Sequence, residues 1–178
     1  MNLPNILTIM RILMVPLFVY LLFYGYHTWA LTVFVVAGVT DALDGAIARM
    51  WQQQTTLGKY LDPLADKLLI TSAFISLGAL SWLPLWVLLI VVSRDIILTL
   101  GTVVMHLTQG HFDITPSLLG KATTFMQLAL ILLTLLTVTG IDLGGYVTPT
   151  MWVAVAVTLL SGLHYLYRGI RRLNGNLV

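Results

Sequence analysis

Four aspartates, Asp41, Asp44, Asp62 and Asp66, fall within 26 residues of a chain that has only seven acidic residues in 178. The pattern is Asp41-x-x-Asp44-Gly45-x-x-Ala48-Arg49, eight residues, then Gly58-x-x-x-Asp62-x-x-x-Asp66. On a helix, positions i, i+3 and i, i+4 share one face, so an antiparallel helix pair can bring all four carboxylates to one point. In a hydrocarbon setting an ionised Asp costs roughly 2.5–3.5 kcal/mol at the bilayer centre. Four bare carboxylates would also repel one another, and one or two divalent cations would relieve both costs. Oxygen donors without His or Cys point to Mg²⁺ or Mn²⁺, with Ca²⁺ less suited to chemistry at phosphates. Gly45, Ala48 and Gly58 lack bulk beside the carboxylates and leave a slot for an extended ligand, with Arg49 and Lys59 placed to offset phosphate charge. The plainer reading makes these Asp residues caps or salt-bridge partners, and Asp62 before Pro63 does resemble a turn signal. Eight positions at fixed spacing argue against it.

The surrounding chain must hold such a site in a membrane. Hydrophobic residues make up 58% and charged residues 9% of the sequence, and mean hydropathy is +0.94, against about 25% charged in soluble domains. Residues 12–40, 68–93, 122–141 and 143–167 carry no Asp, Glu, Lys or Arg, and each reaches the roughly 20 residues needed to cross a bilayer as a helix. Dividing and trimming these runs predicts a single all-α membrane domain over residues 1–178 with six spans: about 12–23, 29–49, 58–78, 85–106, 122–138 and 147–167. A short interfacial helix over residues 1–11 is expected before the first span, with Pro4 tolerated in its first turn, and Pro16 is expected to kink that span. Tyr24-Gly25-Tyr26-His27, Leu80-Ser81-Trp82-Leu83-Pro84 and 139–145 read as turns. The loops at about 24–28, 79–84 and 139–147 have no Lys or Arg, whereas Arg49, Lys59, Lys121, Arg168, Arg171 and Arg172 fall at the other ends of the spans. The positive-inside rule therefore puts both termini and all four motif aspartates on the cytoplasmic side. A cleaved leader is not expected, because no basic residue precedes the first apolar run and Arg11 interrupts it. The lack of Cys removes disulfides, thiolate nucleophiles and Cys-based metal sites.

The aspartate pattern matches, without departure, the signature of the CDP-alcohol phosphatidyltransferases, and the chain resembles that family along essentially its whole length, including the opening Leu3-Pro4-Asn5-x-x-Thr8-x-x-Arg11. The resemblance implies six helices around a cytoplasm-facing polar cavity, two divalent ions (Mg²⁺ or Mn²⁺) held by Asp41, Asp44, Asp62 and Asp66, and a homodimer among membrane lipids. It implies Asp66 as general base, and Gly45, Ala48, Arg49 and Gly58 as the CDP-binding positions. The implied reaction passes a phosphatidyl group from CDP-diacylglycerol to a phosphate-bearing alcohol acceptor and releases CMP.

The acceptor is less legible. Arg94 stands mid-span beside Asp95, where a charge is costly unless it faces a cavity, a partner or an anionic substrate. Members that use glycerol-3-phosphate typically show Arg-Glu there and a second Arg eight residues on; this chain has Arg94-Asp95 and Thr102. Residues 89–96, 119–128 and 163–167 look more like the cardiolipin synthases of the family, whose acceptor is phosphatidylglycerol. Arg94, Lys121 and Arg168 are the candidates for the acceptor's anionic group. Glycerol-3-phosphate is the alternative acceptor, and a cation transporter is the remote alternative class, disfavoured because the carboxylates cluster near one face. His27, His106, His111 and His164 show no metal-ligand spacing, no Walker loop is present, and nothing suggests nucleic acid as a partner.

Overall fold

A computed structural model of the chain describes the backbone of residues 3–50, 58–109 and 118–175, and side chains over residues 8–41, 64–101 and 118–168. Six α-helices occur in order: α1 (Leu3–Phe23), α2 (His27–Met50), α3 (Gly58–Ala79), α4 (Leu85–Gln109), α5 (Leu118–Val138) and α6 (Gly144–Gly175). There is no strand among the described residues. The expected separate amino-terminal helix is not separate, because α1 is one element from Leu3 through Pro16 to Phe23. Pro4 lies in its first turn, where a missing N–H leaves no hydrogen bond unmade, and residues 5–15 contain neither Gly nor Pro to stop propagation. The other helices match the expected positions and extend the spans by a few residues.

The chain divides into two units. The first comprises residues 1–83 and 134–142, the second residues 84–133 and 143–178. In the first, α1 packs against both α2 and α3. Thr8, Arg11, Phe18 and Leu22 are buried on α1, Ala30, Phe34 and Ala37 on α2, and Ala65, Leu69, Ala73 and Leu77 on α3. Each set steps by three, four or seven residues, which makes a single buried stripe on a 3.6-residue helix. Four of the stripe residues are alanines, and their small side chains let backbones approach closely. Phe18 and Phe34 fill the space between α1 and α2 with ring centroids 5.7 Å apart.

In the second unit α4 packs on α6. Val87, Val91, Arg94 and Asp95 are buried on α4, and Met151, Ala154, Val155, Thr158 and Ser161 on α6. Thr158 Oγ donates to the Ala154 carbonyl at 2.6 Å, which satisfies its hydroxyl inside its own helix.

Outside these stripes the helices present large apolar side chains, among them Leu13, Leu89, Phe125, Trp152 and Leu163. Such continuous apolar exposure suits hydrocarbon and not water. Among the described residues, two helices are long and apolar enough to cross a membrane, Leu118–Val138 and Gly144–Arg168, while Thr8–Phe23 is apolar but shorter.

Helices α1, α3 and α5 end in the same way. Tyr26 N–H donates to the Leu21 carbonyl at 2.9 Å and Gly25 N–H to Leu22 at 3.2 Å; Trp82 and Ser81 repeat the pair to Leu77 and Gly78, and Ile141 and Gly140 to Leu136 and Thr137. These are Schellman caps, whose turning residue must adopt positive φ. Gly25 (80°) and Gly140 (96°) do so without steric cost, whereas Ser81 holds φ of 59° with a side chain attached. The α3 cap is further held by the edge of His27 against the Trp82 ring, at 5.0 Å and 82°.

Candidate active site

Asp41 continues the buried stripe of α2, four residues beyond Ala37, and Asp66 lies three residues before Leu69 on the stripe of α3. Both stripes face α1, so helical register alone aims the two carboxylates toward one helix. Arg11 meets them there. Its Nη1 lies 2.6 Å from Asp41 Oδ1 and 2.9 Å from Asp66 Oδ1, with the shorter contact at the low end for a charge-assisted hydrogen bond. The arginine side chain is fully buried, while those of Asp41 and Asp66 are 38% and 41% exposed. The guanidinium therefore sits on the closed side of the carboxylates, and their remaining surface is open.

Two carboxylates from different helices drawn to one nitrogen form an all-oxygen donor set with accessible lone pairs, and this fits a hard divalent cation. Asp44, Gly45, Ala48 and Arg49 lie on the last turns of α2, and Gly58 and Asp62 on the first turns of α3. Their side chains are outside the described residues, so the structure locates half of the expected four-carboxylate set.

Arg94 is placed differently. Its Nη1 donates to Asp95 Oδ1 at 2.7 Å and its Nη2 to Ser161 Oγ at 2.8 Å, all three residues being buried. Gly162 of α6 lies beside it, where a Cβ would meet Arg94 Cγ at 3.6 Å, an ordinary van der Waals contact. Arg94 also lines a groove of about 310 Å³ whose walls include Leu89, Ile97, Leu163 and Leu166. Arg94 is thus both a partner in an ion pair and a wall of a cavity. Lys121 and Arg168, the other two candidates for the acceptor's anion, are exposed on α5 and α6. His27 packs on Trp82, and His106 and His111 lie outside the described side chains.

Two contributors carried no role in the sequence reading, Arg11 and Ser161. A signal for Arg11 existed: a lone arginine inside an apolar helix must find an anion, and the richest source of anions in the chain is the aspartate motif. Ser161 offered none, because a serine in an apolar helix is ordinary.

Comparison with known proteins adds an independent line. The sequence model of the CDP-alcohol phosphatidyltransferase family matches residues 1–160. The chain is 38% identical to a probable phosphatidylglycerophosphate synthase of Mycobacterium tuberculosis, over 98% of this chain and 84% of that protein. It is 37% identical to a probable cardiolipin synthase (CMP-forming) of Drosophila melanogaster, over 93% of this chain and 53% of that one. Identity to the CDP-diacylglycerol–glycerol-3-phosphate 3-phosphatidyltransferase of Bacillus subtilis is 32%, over 92% of this chain and 93% of that one.

Proposed function

Since this chain belongs to the CDP-alcohol phosphatidyltransferase family, a family of membrane-bound and generally divalent-metal-dependent enzymes, we propose that it passes a phosphatidyl group from CDP-diacylglycerol to phosphatidylglycerol, forming cardiolipin and CMP. The reaction class rests on the convergence of Asp41 and Asp66 on one cation, each with an open face. Asp41, Asp44, Asp62 and Asp66 would hold two Mg²⁺ or Mn²⁺ ions. Bound there, the ions supply charge neutralisation at the pyrophosphate and its departing CMP. Asp66 accepts the proton of the acceptor hydroxyl as that oxygen attacks phosphorus in line with the leaving phosphate. Gly45, Ala48, Arg49 and Gly58 form the slot for the CDP moiety, with Arg49 offsetting phosphate charge.

For the acceptor, the state of Arg94 supports a phosphodiester. Its pairing with Asp95 cancels most of its charge, which suits a singly charged diester better than a compact doubly charged monoester. The adjoining groove is lined largely by Leu and Ile and accommodates an acyl chain. Lys121 and Arg168 are the further candidates for the acceptor's anion. Glycerol-3-phosphate is the second reading, favoured by the names of the Mycobacterium and Bacillus relatives. The deciding assay offers CDP-diacylglycerol with Mg²⁺ or Mn²⁺ and, separately, phosphatidylglycerol, glycerol-3-phosphate, serine or inositol, and measures CMP release. Cardiolipin from phosphatidylglycerol is the expected product. Efficient phosphatidylglycerophosphate formation without cardiolipin would refute the acceptor and leave the reaction class standing.

The same reading makes the chain a single domain of six membrane spans working as a homodimer, with both termini and the site on the cytoplasmic side, as the Lys and Arg bias requires. Single cysteines are clean probes in a Cys-free chain. A cysteine replacing Gln53 should resist a membrane-impermeant thiol reagent in intact cells and one replacing Gly144 should react. The reverse pattern would overturn the orientation.

A further inference from the structure

We propose that Arg11 is a positioning residue of the aspartate site: it draws the α2 and α3 carboxylates to one point and sets how tightly that point holds a divalent cation. The inference rests on the metal-binding reading of Asp41 and Asp66 given above.

One nitrogen, Nη1, reaches one oxygen of each carboxylate, so an atom of a third helix bridges the two acids. That helix, α1, packs against both of the others, and the guanidinium is locked in place by complete burial. A cation approaching the open side of the carboxylates would share them with a fixed positive charge a few ångströms away. Two separable effects follow. The charge of Arg11 weakens the hold on a divalent ion, since like charges repel strongly at short range in a partly desolvated site. Its hydrogen bond to Oδ1 holds the direction of Asp66, and misplacement of a reacting group by about 1 Å can slow turnover by about a hundredfold. A purely structural arginine would do neither: its loss would lower stability equally with and without the ion.

The test uses the full chain purified in detergent, with Mn²⁺ as the probe. The unfolding temperature is followed against Mn²⁺ concentration without lipid substrate, and kcat is measured at saturating Mn²⁺ in the CMP-release assay. For Arg11→Gln the expected result is a lower metal-free unfolding temperature, a half-saturating Mn²⁺ concentration reduced at least about threefold, and kcat reduced at least about tenfold. Arg11→Lys keeps the charge on a shorter side chain without the planar guanidinium fork, so its Mn²⁺ midpoint should stay within about twofold of the parent while kcat falls at least about tenfold. An unchanged or raised Mn²⁺ midpoint in Arg11→Gln overturns the inference. If that variant fails to fold, Arg11→Lys decides: a parent-like kcat overturns the inference, and a tenfold loss at an unchanged midpoint supports it. A parent protein whose unfolding temperature ignores Mn²⁺ would overturn the metal reading and this inference together, whereas a responsive parent with an unshifted Arg11→Gln overturns this inference alone.

Discussion

Two buried arginines divide the molecule's polar chemistry between them. Arg11 faces two half-exposed carboxylates contributed by helices 30 and 55 residues downstream. Arg94 faces the carboxylate next to it in sequence and a serine, all buried, at the wall of a groove. The first arrangement joins acids from two helices and leaves each carboxylate partly open. The second is a neutral buried pair that also forms part of a groove wall, and Arg94 Nε has no hydrogen-bond partner there. Burial of an arginine therefore says little about function until the charge balance and exposure of its partners are counted.

The sharpest way to break this contrast is to remove one carboxylate from each side. Asp66→Asn should lower CMP release by about a thousandfold, the midrange of what a positioned base contributes, with helix content by circular dichroism unchanged. Turnover near the parent rate would remove Asp66 from its role as base. Asp41→Asn should cost at least about a hundredfold, the loss of a charged donor at the cation, and should raise the Mn²⁺ needed for half-maximal activity. An unchanged metal requirement would exclude Asp41 from the site.

At the buried pair the expected effect is on stability. Asp95→Ala leaves the buried Arg94 guanidinium with Ser161 in place of a charged partner and should destabilise the protein by about 3–5 kcal/mol, read from thermal or denaturant unfolding in detergent. Loss of under about 1 kcal/mol would mean that Arg94 finds water or lipid instead of staying buried. Arg94→Ala should impair use of the acceptor more than binding of CDP-diacylglycerol, seen as a raised KM for phosphatidylglycerol. A smaller effect is expected at the α3 cap: Ser81→Gly relieves positive φ at an exposed position and should stabilise by about 0.5–1 kcal/mol, with activity unchanged.

Much of this was readable in the sequence, for identifiable reasons. Uncharged runs located the helices because hydrocarbon tolerates only helices with their backbone groups satisfied internally. Gly25 and Gly140 marked helix ends because positive φ favours them. Helical register was legible for Asp41 and Asp66, which fall on the buried stripes of α2 and α3 and meet at Arg11. That Arg11 needs an anion was readable, but which acids it meets was not: its partners lie on other helices, and which helix packs between which is decided by the stripes of Ala, Phe and Leu acting together. The amino-terminal helix was misjudged for a related reason, since a polar residue within an apolar run reads as a boundary until its partner is known. The Arg94 pairing was half legible, with Asp95 adjacent and Ser161 reached only through the packing of α4 on α6.

The position of Arg11 in the chain also bears on how the protein is made. Arg11 emerges from the ribosome before Asp41, and Asp41 before Asp66. A membrane-inserted arginine or aspartate costs about 2.5–3.5 kcal/mol when it enters alone. The hairpin of α1 and α2, joined by the tight turn at Gly25, brings one of each sign together, so it can enter the bilayer as a neutral pair. Asp66 then arrives on α3 together with Asp62, Lys59 and Lys67, so the counter-charge that Arg11 supplies is in place before the second of its two acids enters the bilayer.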